Sequence, residues 1–375
     1  MTPPTLSLSL RTVPLLLAAL LASCGGGSED SGGASSNTPY QGTLLNGTNC
    51  TVRYYAQSQP SQRAGTDPLY LTQWYLKNTG RLTGYSGLAA GEDLQVENVW
   101  ASGLRGENIR VAVVDDALEV THQDLAPNVV EGASYNYVSD GSWQRGSPWP
   151  LPCTSSQTHG TAVGGVVAAR DSNGLGGRGV APRASLVGYN ALANDQDSEV
   201  LDALVRDQGK NHIYNNSWGA EDDGHFNTPA SRSAQVGTIL NGLRNGRNGL
   251  GSIYTFAGGN GGANGDYSVL DGNVSMLGTI PVCGTNAAGK RAPYSEPGPN
   301  LIVCAPSSDV GQAKGSSLPD VTTTTLQNQY TAKFNGTSAA TPMISGVIAL
   351  MLQANPNLTW RDVPLVLARS ARQVD

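Results

Sequence analysis

The chain has 375 residues, 39% of them hydrophobic and 14% charged, which is enough to bury one large core or two ordinary ones and excludes a disordered chain. The formal net charge is −6 at pH 7 with only 23 lysines and arginines and no basic run, which argues against a nucleic-acid partner. The 47 glycines predict many tight loops between buried elements.

The N-terminus has the features of a targeting segment. Arg11 precedes the apolar run VPLLLAALLA, which at about ten residues suits a signal-peptide core better than a membrane-spanning helix. The run leads into LASC, residues 21–24, which resembles a bacterial lipobox, a motif whose cysteine is lipidated and becomes the new N-terminus. Cys24 is therefore the predicted lipidation site. An ordinary secretory signal with an incidental cysteine is the alternative, and both place the mature protein outside the cytoplasm.

The predicted organisation has three parts. Residues 1–23 form a lipoprotein-type signal peptide, residues 24–60 a flexible polar tether, and residues 61–375 one globular domain. We expect a monomer in the cell envelope, attached to the membrane by its lipid anchor.

Six short apolar runs after residue 108 have the length and composition of buried strands. They are IRVAVVDD, ASLVGYNAL, HIYNNSWG, GSIYTFAGGN, TIPVCGTN and LIVCAP. Helix-length segments separate several of them, among them SEVLDALVRDQG and SAQVGTILNGLRN. This alternation predicts an α/β fold with a mostly parallel central sheet and helices on both faces. Functional groups in such a sheet collect at the carboxyl ends of the strands.

Four cysteines follow the lipobox, and in an oxidising compartment they can form two disulfides in three connectivities. They are Cys50, Cys153, Cys283 and Cys304. The last two each lie in a strand-like run, which favours a bond between neighbouring strands, with two separate buried thiols as the alternative. No CxxC or histidine-rich spacing indicates a zinc site.

Three polar features stand where chemistry is expected. Asp115 and Asp116 end the run IRVAVV, His159 enters a helix of small residues in QTHGTAVGGVVAA, and Ser338 precedes an apolar helix in KFNGTSAATPMISG. Each has an ordinary explanation by itself. The aspartates suit a turn, the histidine a structural role, and Ser338 a helix N-cap with Pro342 in the first turn. Their order along the chain is more informative than any one of them.

The order Asp, His, Ser, in the frames VAVVDDALE, THGTAVGG and NGTSAATP, resembles the subtilisin-like serine proteases. Other serine hydrolases place the three residues in other orders. The resemblance covers residues 67–375 and implies the three-layer subtilisin-like fold and hydrolysis of peptide bonds. It implies that Ser338 attacks the carbonyl, that His159 takes and returns the proton, and that Asp115 holds the imidazole.

A fourth residue fits the same resemblance. In AGGNGG, Asn260 stands where this family has the asparagine that stabilises the oxyanion together with the backbone N–H of the nucleophile. A glycine-rich turn, in which asparagine is also common, is the alternative.

Further segments resemble the kexin and furin branch, the calcium-dependent proteases that cut after basic residues. They are VVDDALEVTHQDL, SWGAEDDG, GGNGG, APYSEPG, GLGSIY and NLTWRDV. The branch implies that Asp222 and Asp271 line the S1 pocket, because a buried guanidinium needs carboxylate partners. It also implies that Asp116 faces a basic P2 residue. The remaining predicted substrate-binding residues are Ser217, Trp218 and Gly219. An ordinary solvated acidic loop is the alternative for EDDG.

The chain departs from that branch at several positions. Ala117 replaces the usual glycine after the paired aspartates, and uncharged residues, Val205 and Asn227, stand where acids receive a basic P4 side chain. We therefore expect a monobasic or dibasic preference. The stretch between Cys24 and residue 66 is shorter than the usual folded propeptide, and the sequence ends before the region that holds the P-domain in related chains.

The branch also implies two calcium sites, since Ca²⁺ prefers oxygen ligands. The first uses side chains of Asp67, Asp124 and Asn173 with backbone carbonyls of Arg170, Leu175 and Gly177. The second, beside S1, uses Asp222, Asp266 and Glu296. Two other functions remain open at this stage. One is a broad-specificity degradative protease of the same family, and the other is an inactive surface-binding lipoprotein on a protease fold.

Overall fold

The computed structural model describes residues 6–8, 43–55, 64–140, 144–194, 196–226, 232–309 and 317–374. The predicted apolar signal core, Cys24 and most of the tether lie outside the described residues, and so does Asn227.

The described residues form ten strands in two sheets. In chain order they are β1 (Leu6–Leu8), β2 (Arg110–Val114), β3 (Ser185–Tyr189), β4 (Ile213–Asn216), β5 (Ile253–Ala257), β6 (Thr279–Thr285), β7 (Val303–Pro306), β8 (Val321–Thr324), β9 (Tyr330–Phe334) and β10 (Ala371–Gln373). The central sheet has the order β10-β1-β7-β6-β5-β4-β2-β3, while β8 and β9 form a separate antiparallel pair.

The six strands from β7 to β3 pair in parallel, and each forms within one of the six predicted apolar runs. The prediction of a mostly parallel sheet is therefore confirmed. At the sheet's other edge, β1 pairs with β7 and antiparallel with β10. This strand lies inside the predicted signal peptide, so cleavage before Cys24 would remove it from the sheet.

The described helices are α1 (Glu97–Ala101), α2 (His159–Ala168), α3 (Asp197–Ala203), α4 (Arg232–Asn245), α5 (Thr337–Ala354) and α6 (Asp362–Ser370). Short 3-10 helices span Tyr70–Thr72, Ala126–Asn128, Gly246–Gly249, Gly262–Asn264 and Ser268–Leu270.

Alternate residues of the buried strands face two separate hydrophobic clusters, which gives the molecule its layers. In β2, Val111 and Val113 pack in the cluster that contains the apolar residues of α2 and α5. Ala112 and Val114 face the opposite cluster, with side chains from α3 and α4. Successive side chains of a strand point to opposite faces of a sheet, so a strand buried on both faces requires helices on both sides.

Helix α5 is the one helix in the described chain that is long and apolar enough to cross a membrane, yet 78% of its apolar window is buried. It packs against β4, β5, β6 and β7. This helix is therefore the central core helix.

The four cysteines in the described part of the chain form two disulfides. Cys283–Cys304 joins β6 to β7, the pairing that the strand-like runs favoured. Cys50–Cys153 joins the segment 43–55 to the loop before α2.

Candidate active site

Three predicted catalytic residues stand at the ends of core elements. Asp115 follows the carboxyl end of β2, His159 is the first residue of α2, and Ser338 is the second residue of α5. The Nδ1 atom of His159 lies 2.9 Å from Oδ1 and 3.1 Å from Oδ2 of Asp115. A carboxylate on Nδ1 fixes the tautomer and leaves Nε2 as the nitrogen that can accept a proton from another group.

Small residues bring α2 close to its neighbours. A Cβ atom at Gly160 would overlap the carbonyl oxygen of Ala117, and one at Gly165 would overlap Oγ1 of Thr324. Neither position has room for a larger residue. The glycines therefore allow the helix that carries His159 to lie against both the aspartate loop and β8.

Asp116 caps the N-terminus of α2. Its Oδ1 accepts the N–H of Gly160 at 2.9 Å and its Oδ2 accepts the N–H of His159 at 3.2 Å. Burial, and next the charge of Asp115, raise the pKa of Asp116 to about 7. Burial alone lowers the pKa of His159, but the charge and hydrogen bond of Asp115, together with the charge of Asp116, outweigh it and raise that pKa to about 9. The capping role was not predicted from the sequence.

Replacing Asp116 with asparagine is expected to move the acidic limb of the pH profile of kcat/KM to lower pH. The change removes one of the charges that favour the imidazolium, so His159 becomes a free base at lower pH, by about half a pH unit. The measurement is kcat/KM for one peptide across pH in the wild type and the variant.

Asp207→Asn is the matched control for that measurement. Asp207 pairs with Arg110 at the start of β2, the end of the strand away from Asp115, and its loss should leave the limb in place. If the acidic limb of Asp116→Asn coincided with that of the wild type, this would contradict the role of the Asp116 charge in raising the pKa of His159.

Ser338 is not the N-cap of α5. The cap position is Gly336, with φ of 77°, and no side chain caps the helix. The hydroxyl of Ser338 donates instead to the carbonyl of Ser217 at 2.8 Å, and Pro342 lies inside the helix rather than in its first turn. Ser338 itself is in the first turn, where backbone N–H groups have no partner within the helix.

The side chain of Asn260 has a fixed orientation. Its Oδ1 accepts both the N–H of Thr337 at 2.8 Å and the Oγ1–H of Thr337 at 3.0 Å. Because both partners are donors, they identify this atom as the oxygen and leave the Nδ2 amide to donate elsewhere. Asn260 is thus held near Ser338 by the residue that precedes the serine, a contact that was not predicted from the sequence.

A shallow cavity that opens to solvent contains the predicted S1 aspartates. It is lined by Ala220, Glu221, Asp222, His225, Gly259, Asp266, Asp271 and Glu296. The residues predicted for S1 and those predicted for the second calcium site therefore share one acidic cavity. The sequence did not predict His225 at this position.

Asp271 lies at the wall of that cavity. Its Oδ2 accepts the N–H of Ala220 at 3.0 Å, and its Oδ1 accepts the N–H of Asn273 at 2.6 Å. A Cβ atom at Gly219 would lie 2.8 Å from Oδ2, so a larger residue there would have to displace the carboxylate. Burial raises the pKa of Asp271, and these two N–H groups oppose the rise.

The segment Ser217–Trp218–Gly219 is held against the end of β2. The indole Nε1–H of Trp218 donates to the carbonyl of Val114 at 2.9 Å, and its ring packs edge-on to Phe256 at 5.3 Å between centroids. The segment therefore borders both Ser338 and the acidic cavity.

The side chains predicted for the first calcium site lie together. Asn173 Nδ2 donates to Oδ1 of Asp124 at 2.7 Å, and the N–H of Asn173 donates to Oδ1 of Asp67 at 3.3 Å. Oδ2 of Asp124 is buried and accepts no hydrogen bond of good geometry from the described part of the chain. Burial, then the charge of Asp67, raise the pKa of Asp124 to about 7. Arg178 pairs with Asp67 at 2.5 Å, while the side chain of Arg170 points away and donates to the carbonyl of Pro127.

The three carboxylates of the second predicted site surround the turn 259–261. A Cβ atom at Gly259 would overlap the carboxyl of Glu296, and one at Gly261 would lie 2.7 Å from Cβ of Asp266. Burial, followed by the charges of Asp266 and Asp222, raises the pKa of Glu296 to about 8. Across the described residues, no three His, Cys, Asp or Glu side chains are arranged closely enough to hold a metal ion by themselves.

The sequence model of the subtilase family, peptidase family S8, matches residues 106–375. The chain belongs to the subtilase family. Neuroendocrine convertase 2 of Caenorhabditis elegans is 38% identical over 306 residues, which make up 80% of this chain and 44% of the relative. The dibasic-processing endoprotease of Schizosaccharomyces pombe is 37% identical over 313 residues, which cover 83% of this chain and 41% of the relative.

This subtilase also resembles a solved structure in fold. The serine protease of Aeromonas sobria, crystallised with its chaperone, aligns with a TM-score of 0.72 at 30% identity over 83% of this chain and 58% of that chain. The predicted subtilisin-like fold is therefore confirmed. The subtilase chain spans less than half of the length of the two curated relatives.

Proposed function

We propose that this chain is a serine endopeptidase with Ser338 as nucleophile, His159 as general base and Asp115 as the residue that orients it. The observation that carries the proposal is the pair of contacts from Asp115 to Nδ1 of His159. In the described structure the Ser338 hydroxyl donates to the carbonyl of Ser217, so this hydrogen bond must be exchanged for one to Nε2 of His159 before attack.

The proposed chemical step then proceeds as acyl transfer. Oγ of Ser338 attacks the peptide carbonyl while His159 takes the hydroxyl proton, and Asp115 stabilises the imidazolium that forms. The oxyanion is met by the Nδ2 amide of Asn260 and the N–H of Ser338, both held in place before the reaction. His159 returns the proton to the leaving amine, and water releases the acyl group by the same route.

We propose that the preferred P1 residue is basic. The support is the shared cavity in which Asp222 and Asp271 lie with further carboxylates, because such a cavity favours a cation over an apolar side chain. The relatives include an enzyme named for dibasic processing. Val205, at the position where related enzymes have an acid that receives a basic P4 side chain, is uncharged and follows the end of α3. Glu199 in the same helix is already paired with Arg145. Both observations support a requirement limited to one or two basic residues.

Peptides that differ only at P1 test this specificity. The wild type is expected to cleave after arginine at least about 100-fold more efficiently than after leucine, and Asp271→Asn should lower kcat/KM for the arginine peptide by about 10- to 100-fold. The leucine peptide is the internal control, since its kcat/KM should change little. Equal cleavage after leucine and arginine by the wild type would favour a broad-specificity degradative protease instead.

We propose that the chain binds Ca²⁺ through Asp67, Asp124 and Asn173, with the carbonyls of Arg170, Leu175 and Gly177. The donors fit: they are all oxygens, and one of them, Oδ2 of Asp124, is buried and accepts no hydrogen bond of good geometry from the described residues. When bound, the ion supplies positive charge that balances the buried carboxylates and fixes the loop. Arg178 already neutralises Asp67, so Asp124 has the greater need of the cation.

The second proposed calcium site uses Asp222, Asp266 and Glu296. Their mutual repulsion already raises the pKa of Glu296 in the acidic cavity, which is the electrostatic setting that a divalent cation relieves. The three carboxylates are not close enough to hold an ion by themselves, so they would supply only part of its oxygen ligands. They would also keep the turn around Asn260 in place, since Asp222 accepts the N–H of Asn260 at 2.9 Å.

A chelator is expected to lower the thermal midpoint by about 5 °C, because binding to the folded state alone stabilises it by mass action. The double variant Asp124→Asn/Glu296→Gln should lose this response. The measurement is differential scanning calorimetry in excess Ca²⁺ and in excess chelator, with Mg²⁺ as the control ion. A double variant that responds to the chelator as the wild type does would contradict both sites.

We further propose that the mature protein is a monomer in the cell envelope, anchored through a lipid on Cys24. The support is the LASC motif and the two disulfides, which persist in oxidising compartments. Labelling of cells with a tagged fatty acid tests the anchor, since Cys24→Ala should lose the label.

A further inference from the structure

A cluster of contacts, the hairpin clamp, joins the segment after the paired aspartates to the tip of the β8–β9 hairpin. The carboxylate of Glu119 accepts the N–H of Gln327 at 2.6 Å and the N–H of Asn328 at 3.3 Å. The N–H of Gln123 donates to Oδ1 of Asn328 at 2.7 Å. These partners are about 200 residues apart in sequence, so the clamp fixes two distant segments of the chain on each other.

Glu119 is the centre of the hairpin clamp. Its residue is 2% exposed, and its Oε2 also accepts the hydroxyl of Tyr54 at 3.2 Å. The two turn residues whose N–H groups it accepts have left-handed backbones, with φ of 57° at Gln327 and 61° at Asn328. Residues other than glycine adopt this conformation at a cost, so the carboxylate offsets strain at the tip.

The two strands of the hairpin are anchored very differently. In β8, Oγ1 of Thr323 donates to the carbonyl of Ala162 at 2.8 Å and Oγ1 of Thr324 to that of Thr161 at 2.7 Å, which fixes this strand on α2. In β9, none of the five residues is buried. A two-stranded sheet is marginally stable by itself, so β9 depends on β8 and on the hairpin clamp.

The far end of β9 reaches the proposed catalytic residues. Phe334, its last residue, packs edge-on to the ring of His159 with 5.5 Å between centroids. Gly336, two residues later, is held by the hydroxyl of Ser307 and precedes the helix that begins with Thr337 and Ser338. A displacement of β9 therefore reaches both the general base and the nucleophile.

We infer that Glu119 is a positioning residue for the hydrolysis reaction: by fixing the tip of the β8–β9 hairpin it sets the position of Phe334 against His159. The inference rests on the proposed protease function. It assigns Glu119 no contact with substrate and no proton transfer. Its effect should therefore fall on the rate of the chemical step and not on substrate binding.

Glu119→Gln tests the role with a side chain of the same shape. One carboxylate oxygen becomes an amide N–H₂, which cannot accept the hydrogen bond that a backbone N–H group of the hairpin tip donates to that oxygen in the wild type. We expect kcat to fall by roughly tenfold with KM changed less than about twofold, because small misplacements of reacting groups reduce rate strongly. The rate of labelling by a fluorophosphonate probe should fall by the same factor.

A double-mutant cycle distinguishes positioning from general loosening. If Glu119 acts through Phe334, then Glu119→Gln and Phe334→Leu together should lower kcat little more than the stronger single change. Additive effects on kcat would overturn the inference. Asn328→Gly, which keeps the left-handed backbone but removes the acceptor for Gln123, should lower kcat in the same direction and replaces Glu119→Gln if that variant fails to fold.

Asp93→Asn is the matched control. Asp93 is also a buried carboxylate that accepts two backbone N–H groups, from Asn78 at 2.6 Å and Gln95 at 2.7 Å. None of its hydrogen bonds among the described residues reaches the hairpin. Its variant should lose thermal stability with kcat unchanged. Equal losses of kcat in both variants, or none in Glu119→Gln, would overturn the inference. Labelling of the wild type shows separately whether the protease function itself holds.

Discussion

Ser338→Ala is expected to reduce kcat/KM for peptide hydrolysis by at least about 10⁴-fold and to abolish covalent labelling by a fluorophosphonate probe. In subtilisin, another member of this family, loss of the nucleophile lowers kcat by about 10⁶-fold. The physical reason is that Oγ is the only atom of Ser338 able to form the acyl bond, and alanine lacks it. The oxyanion donors and the acidic cavity remain, so substrate should still bind.

Loss of folding does not account for an effect of that size. A second serine variant in the same helix serves as a control for Ser338→Ala. The half-buried Ser338 makes one side-chain hydrogen bond, to the carbonyl of Ser217, whose loss costs about 1 kcal/mol. The thermal midpoint should therefore drop by only a few degrees. Ser345→Ala is a useful second variant, because Ser345 is a fully buried serine of the same helix that bonds Thr255 and Asn215 and should keep its labelling.

The labelling result also separates the remaining functions. A wild type that takes up the probe, beside a Ser338→Ala variant that does not, excludes the inactive binding protein. If the wild type were not labelled although calorimetry showed that it is folded, both the basic-specific and the broad-specificity protease hypotheses would be contradicted. Cleavage of the peptide panel then distinguishes basic specificity from broad specificity.

The central sheet was predictable because each of its parallel strands can be identified from its own short segment of sequence. Each of the six parallel strands is a short apolar run, and β2 shows why: its residues are buried on both faces, so the run is continuous rather than alternating. Because Asp115 directly follows that run, the sequence predicted its position at the edge of the sheet where the strands have their carboxyl ends. His159 and Ser338 could be paired with it only through the order and frames of the family resemblance, since their spacing in sequence says nothing about distance.

Contacts between distant segments were not predictable in this way. The hydrogen bond from Ser338 to the carbonyl of Ser217 involves a backbone atom, which carries no residue signature. The hairpin clamp joins Glu119 to backbone N–H groups of a turn without glycine, where no motif marks the pairing. Arg178 beside Asp67 is a further case, because the loop motif around Asn173 gave no reason to expect a competing cation.

The capping role of Asp116 shows that one residue can satisfy two requirements. The family resemblance assigns it to a basic P2 side chain, and the structure uses its oxygens to accept the first N–H groups of α2. A carboxylate at a helix N-terminus is stabilised by the helix dipole, so the cap and a nearby substrate cation would both favour its charged form. The expected shift of the pH profile in Asp116→Asn depends on the charge of Asp116 beside His159 and not on the substrate.

Asn260→Leu is expected to lower kcat by about 100- to 1,000-fold with little change in KM, which is the cost known for the corresponding donor in subtilisin. The reason lies in the orientation of the amide. Its Oδ1 is engaged by Thr337, so Nδ2 is the group left to donate, and a donor aimed at the developing oxyanion stabilises the transition state more than the ground state. Leucine has a similar volume and donates nothing.

Thr337→Val provides the matched comparison for that loss. Valine removes the Oγ1–H bond to Asn260 but keeps the backbone N–H bond at 2.8 Å, so the amide should retain its orientation and kcat should fall by less than about tenfold. Steady-state kinetics on one arginine peptide measures both variants. If Thr337→Val lowered kcat as much as Asn260→Leu, the threonine hydroxyl and not the backbone N–H would fix the orientation of the Asn260 amide. If Asn260→Leu cost less than about tenfold, Nδ2 would not be an oxyanion donor, and the N–H of Ser338 would have to stabilise that charge without it.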